Sequence, residues 1–90
     1  MKFTVGWTPA AEQELLRFWL AARDRLSIDE AVQTIELQLA TDPMNAGESR
    51  VGTVRVLIVE PLSVVFSVRV EDRFVKVIEI SHRIRRREQN

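Results

Sequence analysis

The chain has 90 residues, of which 46% are hydrophobic and 29% are charged, a composition typical of one soluble globular domain spanning residues 1–90. Because 13 basic and 13 acidic side chains cancel, the overall charge does not favour a uniformly basic nucleic-acid binder. The absence of cysteine excludes disulfides, thiolate nucleophiles and cysteine zinc sites. No apolar run reaches the roughly 18 residues of a membrane span, so we expect a cytoplasmic protein.

The first predicted elements are a strand and a helix. Residues 2–7 alternate polar and apolar side chains, the pattern of a half-buried strand. Thr8 can then cap a helix with Pro9 in its first position, where the missing N–H costs nothing. Apolar residues recur at helical spacing up to about Arg23, where we expect this helix to end.

A second helix is predicted directly after a short connection. Ser27 and Glu30 have the spacing of a capping box, in which the serine caps the helix and the glutamate reaches back. The helical pattern stops before Asp42 and Pro43. Because the connection is so short, the two helices should form an antiparallel hairpin.

The second half of the chain is predicted to form three strands. After a polar loop, residues 53–59, 63–70 and 73–80 are rich in Val, Ile and Phe and are separated by short turns, which makes neighbouring strands antiparallel. The order β-α-α-β-β-β predicts an α+β fold, with a helical hairpin packed on one face of a mostly antiparallel sheet.

Alternation along these strands predicts which side chains face the helices. The predicted core side chains are Val54, Val56, Ile58, Val64, Phe66, Val68 and Val70. Arg55 and Arg69 are then expected on the face that the helices do not cover, beside Ser63 and Ser67. This uncovered face is a candidate binding surface.

The chemically informative residues lie at the end of the last strand. His82 is the only histidine, the residue type most often used as a general acid or base, and it precedes a basic cluster that runs from Arg83 to Arg87. The planar arginine fork suits an anionic partner, although a solvated tail and a structural histidine are the alternatives. Trp7 and Trp19 could stack on bases, but both lie on apolar stripes and are predicted to pack in the core.

The chain as a whole resembles the RelE/ParE family of toxins from bacterial type II toxin–antitoxin modules. The motifs that carry the resemblance are residues 5–12 (VGWTPAAE), 40–43 (ATDP), 47–50 (GESR), 54–57 (VRVL), 61–66 (PLSVVF) and 80–83 (ISHR). The resemblance implies a small cytoplasmic toxin that needs no cofactor or metal and is neutralised by a cognate antitoxin that wraps it. The ending His82-Arg83 looks more like the ParE and plasmid-stabilisation branch.

The family implies two modes of action. ParE-like members poison DNA gyrase, whereas RelE-like members are enzymes that cleave mRNA on the ribosome. The ribonuclease branch uses paired strand lysines, a basic residue in the third-strand motif and a C-terminal Tyr; here those features correspond to Arg55, to Ser63 and to no Tyr at all. We therefore expect a ParE-like toxin that binds gyrase, with a RelE-like mRNA endoribonuclease and a non-toxic binding module as alternatives. Whether the chain forms a homodimer stays open.

Six residues are predicted to contact the target or the antitoxin. They are Arg50, Arg55, Arg69, His82, Arg83 and Arg85. If the chain is an enzyme, His82, Arg83 and Arg55 are the candidates for catalysis.

Overall fold

The computed structural model describes residues 2–83. Its elements are β1 (Thr4–Trp7), α1 (Pro9–Ala21), α2 (Arg25–Thr41), a 3₁₀ turn (Pro43–Asn45), β2 (Glu48–Ser49), β3 (Val54–Val59), β4 (Leu62–Arg69) and β5 (Phe74–His82). One five-stranded sheet has the order β1-β5-β4-β3-β2, in which β1 and β5 are parallel and the other neighbours are antiparallel. The predicted α+β fold is confirmed, with the two-residue β2 as the one added strand.

The start of α1 is as predicted, and its end lies two residues earlier. The Thr8 hydroxyl accepts the Ala11 N–H at 3.1 Å, with Pro9 in the first helical position. After Ala21, the side chain of Arg25 folds back on the helix end. Its guanidinium donates to the carbonyls of Trp19 and Leu20 at 2.9 and 3.0 Å, which satisfies acceptors that a helix C-terminus leaves free.

The predicted start of the second helix at Ser27 is wrong. Helix α2 begins at Arg25, and Asp24 is its N-cap, whose carboxylate accepts the Ser27 N–H at 3.1 Å. Asp24 competes successfully because a carboxylate caps as well as a serine does and adds a favourable charge at the positive end of the helix. The Ser27–Glu30 spacing is therefore not used as a capping box.

The core lies between the helices and one face of the sheet. Its fully buried large side chains are Ile28, Ile35 and Leu39 from α2, Leu62, Val64 and Phe66 from β4, and Val75 and Val77 from β5. Trp7 and Trp19 pack against this core while partly buried, as predicted. The Trp7 indole also donates to Glu36 on α2 at 2.9 Å, which ties β1 to that helix.

The predicted faces are right for β4 and wrong for β3. Leu57 is 6% exposed and Ile58 is 50% exposed, the reverse of the prediction. Leu57 pairs with buried Val64, and Arg55 pairs with Phe66, so both lie on the face that the helices cover. The β3 sequence, VRVLIV, places apolar residues on both faces of the strand, so alternation alone cannot determine which face is buried.

A β-bulge in β5 decides where the end of that strand points. Phe66 pairs with Val77 and Val65 pairs with Glu79, which leaves Ile78 as an extra residue. One extra residue exchanges the two faces of a strand. Ile80, which follows the bulge, is therefore buried on the same side as Val77, and His82 lies on that side too. Val70, a predicted core residue, follows the end of β4 and is 53% exposed.

Candidate functional site

A cleft opens at the end of the sheet where β5 stops, between the α1–α2 connection and the β3–β4 turn. Its volume is about 500 Å³, and we call it the end cleft. The polar side chains that line it are Arg23, Asp24, Ser27, Glu60, His82 and Arg83. The predicted site residues His82 and Arg83 therefore lie together in the end cleft.

His82 is held by an aromatic contact. Its imidazole lies against the ring of Phe18 on α1, with centroids 5.4 Å apart and planes tilted by 37°. The guanidinium of Arg17 lies 5.5 Å from the same phenyl ring. Because the bulge at Ile78 turns His82 toward the helices, the ring is half-buried and has a defined position.

Arg83 is anchored by its backbone and leaves its side chain accessible. Its N–H donates to the carbonyl of Pro61 at 2.6 Å. Its guanidinium lies 3.5 Å from the Glu60 carboxylate, and the arginine side chain is 49% exposed. An exposed ion pair of this kind contributes little, about 0–1 kcal/mol, so Arg83 can exchange Glu60 for an acceptor on another molecule.

The charge of the end cleft is mixed. Arg23 and Arg83 are cations, whereas Asp24 and Glu60 are anions, and Asp24 is engaged as the cap of α2. Such a set can bind the carboxylates and amides of a protein surface. Within residues 2–83, no acidic side chain makes a hydrogen bond or ion pair with His82 that would prepare it as a general base.

Arg55 was predicted to lie on the uncovered face, and that prediction is wrong. It lies on the covered side and has a structural role. Its guanidinium donates to the carbonyls of Ala46 and Gly47 at 2.9 and 3.2 Å, and the side chain is half-buried. Gly47 has φ +64°, and a Cβ there would overlap the carbonyl oxygen of Val56. Arg55 therefore fastens the segment before β2 to the sheet.

The remaining predicted cations lie at the other end of the sheet. Arg69 lies 3.4 Å from Asp72, and Arg50 lies 3.3 Å from Glu48. Leu62 pairs with His82 at one end of β4, and Arg69 closes the other end, about 23 Å away for an eight-residue strand. The predicted site residues are therefore split between two ends, and Arg85 lies outside the described residues.

The face of the sheet that the helices leave uncovered is mainly apolar and hydroxylated. It carries Val54, Val56 and Ile58 from β3 and Ser63, Val65 and Ser67 from β4. Its cations on β4 and β5 are Arg69, at the end of β4, and Lys76 of β5, which pairs with Ser67. None of the β3 side chains on this face is basic.

Two further observations limit the chemistry of the described residues. Among residues 2–83, no three His, Asp or Glu side chains come close enough together to hold a metal ion. Neither α1 nor α2 is long and apolar enough to cross a membrane.

Comparison with known proteins places the chain in a family. Residues 5–87 match the family model described as the ParE toxin of the type II toxin–antitoxin system parDE. The chain belongs to the ParE toxin family. No curated protein matches it significantly. The family that short sequence motifs predicted is thereby confirmed, and the chain is a toxin of a type II toxin–antitoxin system.

Solved structures of related toxins share the fold of this ParE-family chain. The Mycobacterium tuberculosis RelBE2 toxin–antitoxin complex matches with a TM-score of 0.74 and 17% identity over 92% of this chain and 93% of that one. The Pseudomonas aeruginosa chromosomal ParDE system matches with a TM-score of 0.62 and 24% identity over 92% and 98%. The isolated Escherichia coli RelE toxin matches with a TM-score of 0.68 and 16% identity over 94% and 88%.

The sequence did not predict the ring of Phe18 beside His82, nor Glu60 and Asp24 in the lining of the end cleft. Phe18 belongs to α1 and contacts His82. Glu60 lies in the β3–β4 turn beside Arg83, and Asp24 is the N-cap of α2. The position of Phe18 at the edge of the apolar stripe of α1 was the one available signal.

Proposed function

We propose that this ParE-family toxin acts by binding DNA gyrase and that a cognate antitoxin neutralises it. The observation that supports this most is that Arg55, which corresponds to the paired lysines of the ribonuclease branch, is occupied by two backbone carbonyls and leaves no other basic side chain on β3. The β3 positions on the uncovered face are Val54, Val56 and Ile58, and the third-strand position is Ser63. Arg55, the one β3 cation, is turned to the covered side and bonded to two carbonyls.

These substitutions matter because cleavage of RNA needs charge at the reacting phosphate. Electrostatic stabilisation of the developing negative charge is usually the largest catalytic contribution in such a site. Valine and isoleucine cannot supply it, and no Tyr exists anywhere in the chain. A surface of apolar and hydroxyl side chains is better suited to contact with a protein.

The antitoxin part of the proposal draws on the solved relatives. The RelBE2 structure and the Pyrococcus horikoshii RelE–RelB structure are complexes of toxin with antitoxin, and both cover more than nine-tenths of this chain. This toxin has the same fold and an exposed arginine, Arg83, in its end cleft, so it offers an antitoxin comparable surfaces.

The test of the proposal is DNA supercoiling by purified gyrase. Adding the purified toxin should inhibit supercoiling in proportion to its concentration, and prior addition of the antitoxin should abolish that inhibition. Unchanged supercoiling over a wide excess of a toxin that arrests growth would contradict the gyrase assignment.

One observation favours the ribonuclease as the second candidate. His82 and Arg83 lie together in the end cleft, and a histidine beside an arginine can transfer a proton and hold a phosphate. If this candidate is correct, the toxin cuts mRNA on programmed ribosomes and Arg83→Ala abolishes the cut. Harmless overexpression would instead favour the non-toxic binding module.

A further inference from the structure

Four exposed leucines lie on the outer sides of the two helices, away from the core. Leu16 and Leu20 of α1 are 55% and 58% exposed, and Leu26 and Leu37 of α2 are each 65% exposed. Within residues 2–83, these are all the leucines that are more than half exposed. Exposed apolar side chains collected on one side of a protein indicate a contact with another molecule. We call these four residues the leucine face.

The periodicity of α1 separates its part of the leucine face from its core side. Ala11 is buried, and Leu15 and Phe18 pack against the core from the same side of the helix. Leu16 and Leu20 do not belong to that core, and because they are four residues apart they lie one turn apart on another side of α1. Their apolar surface is therefore available to a partner.

The sequence of α1 is self-complementary when two copies of the helix run antiparallel. If Leu16 of one copy lies opposite Leu20 of the other, the symmetric contact of Leu20 with Leu16 forms at the same time, as a twofold axis requires. Glu12 precedes Leu16 by four residues, and Arg23 follows Leu20 by three. The same alignment therefore brings Glu12 of each copy to Arg23 of the other.

The charges of α1 favour a second copy of the chain as the partner. Glu12 and Arg23 are both exposed, and neither forms an ion pair with another of the residues 2–83. Arg17, the other cation of this helix, is already paired with Glu14 at 2.6 Å. A partner that carries charge of one sign can satisfy only one of the two ends of α1, whereas an antiparallel copy satisfies both.

We propose that the toxin forms a homodimer in which the leucine faces of two copies pack together about a twofold axis, with the two α1 helices antiparallel. Leu16 and Leu20 form the apolar centre, and two ion pairs between Glu12 and Arg23 flank it. The α2 part of the leucine face adds apolar area. The uncovered face of the sheet lies on the opposite side of each copy and remains accessible, so the inference does not depend on the gyrase assignment.

The apolar centre supplies the affinity, and the ion pairs fix the alignment. A contact through one face of two short helices is at the small end of specific interfaces, so we expect a dissociation constant of about 10 μM. Each exposed ion pair adds little to this affinity. Like charges in place of both ion pairs nevertheless disfavour the antiparallel alignment at both ends at once.

Sedimentation of the purified full-length toxin tests the dimer. The toxin should be mostly dimeric at about 100 μM and mostly monomeric at about 1 μM. A Leu16→Gln/Leu20→Gln variant should be monomeric at both concentrations, with thermal unfolding confirming that it is folded. A wild-type toxin that is monomeric at the higher concentration overturns the proposal, and so does a dimer that survives replacement of both leucines.

An exchange of charges tests the alignment. Glu12→Arg and Arg23→Glu should each weaken the homodimer at least tenfold, because each variant places like charges at both ends of the α1 pair. An equimolar mixture of the two variants should form a heterodimer of wild-type affinity, since each end then joins an arginine to a glutamate. Glu71→Arg and Arg73→Glu, matched changes in the β4–β5 turn, should leave the homodimer unchanged.

Two results of the charge exchange contradict the proposed alignment. Either Glu12→Arg and Arg23→Glu dimerise as the wild type does, or their mixture remains monomeric although each variant is folded. None of these measurements uses gyrase, so they can fail while gyrase inhibition stands.

Discussion

The imidazole of His82 lies 5.4 Å from the ring of Phe18, and this contact exists because the strand that carries the histidine has a bulge four residues earlier. Without the extra residue at Ile78, the alternation of β5 would place His82 on the opposite face. The place of His82 in the end cleft thus depends on a backbone irregularity four residues before it, at Ile78.

Replacing Phe18 should release His82. In a Phe18→Leu toxin the aromatic contact is lost, and stability should fall by about 1 kcal/mol. Since His82 is the only histidine, its imidazole proton resonances can be followed singly by NMR, and they should move downfield as the ring current of Phe18 disappears. Phe3→Leu, a change at the other end of the sheet, should leave those resonances in place; an equal shift in both variants would refute the contact.

Thr8 joins the start of α1 to the bulge. Its hydroxyl accepts the Ala11 N–H and donates to the carbonyl of Ile78 at 3.3 Å, and its own N–H donates to Val77 at 3.0 Å. Thr8→Val keeps the shape and removes both hydroxyl bonds, so it should lower the free energy of unfolding by about 1–2 kcal/mol in urea titration. Thr8→Ser retains the hydroxyl and should cost less than half of that. Equal losses would show that the hydroxyl is irrelevant.

Two glycines with similar backbone angles should respond differently to alanine. Gly52 has φ +59° and open space around it, whereas a Cβ at Gly47 would overlap the carbonyl of Val56. Gly52→Ala should cost about 1 kcal/mol, the ordinary cost of a left-handed residue. Gly47→Ala should cost about 3 kcal/mol or more, because the β2 segment must also move away from β3. Similar melting temperatures for the two variants would contradict the tight packing of Gly47.

The arginines of the sheet should separate into structural and surface residues. Arg55→Ala removes two charged hydrogen bonds to the segment before β2 and should destabilise the toxin by about 1–3 kcal/mol. Arg69→Ala removes an exposed ion pair with Asp72 and should change stability by less than about 0.5 kcal/mol. Thermal unfolding of the two variants measures the difference. A destabilised Arg69→Ala with an unaffected Arg55→Ala would reverse the assignment of their roles.

The sequence predicted those parts of the fold that local chemistry determines. Thr8 and Pro9 mark the start of α1 because capping and proline geometry act within one turn. The faces of β4 follow from an alternation of apolar and polar residues that only Val65 interrupts. The faces of β3 could not be predicted, because its apolar residues occupy both sides and the pairing with Val64 decides the register. The bulge at Ile78 was not predicted either; its mark in the sequence is a pair of adjacent apolar residues, Val77 and Ile78, between Lys76 and Glu79.

The candidate site was predictable only where it is contiguous in the sequence. His82 and Arg83 follow one another and remain together in the end cleft. Arg50 and Arg69 carry the same charge, but the antiparallel strands place them at the other end of the sheet. Arg55 was misplaced for the same reason as Leu57, since an error of one residue in register exchanges the faces.

The most direct test of the central claim is to measure, with one preparation of the toxin, the supercoiling activity of purified gyrase and the integrity of mRNA on programmed ribosomes. We predict that supercoiling is inhibited in a concentration-dependent manner while the mRNA remains intact. Cleaved mRNA together with unimpaired supercoiling would contradict the account and assign the toxin to the ribonuclease branch.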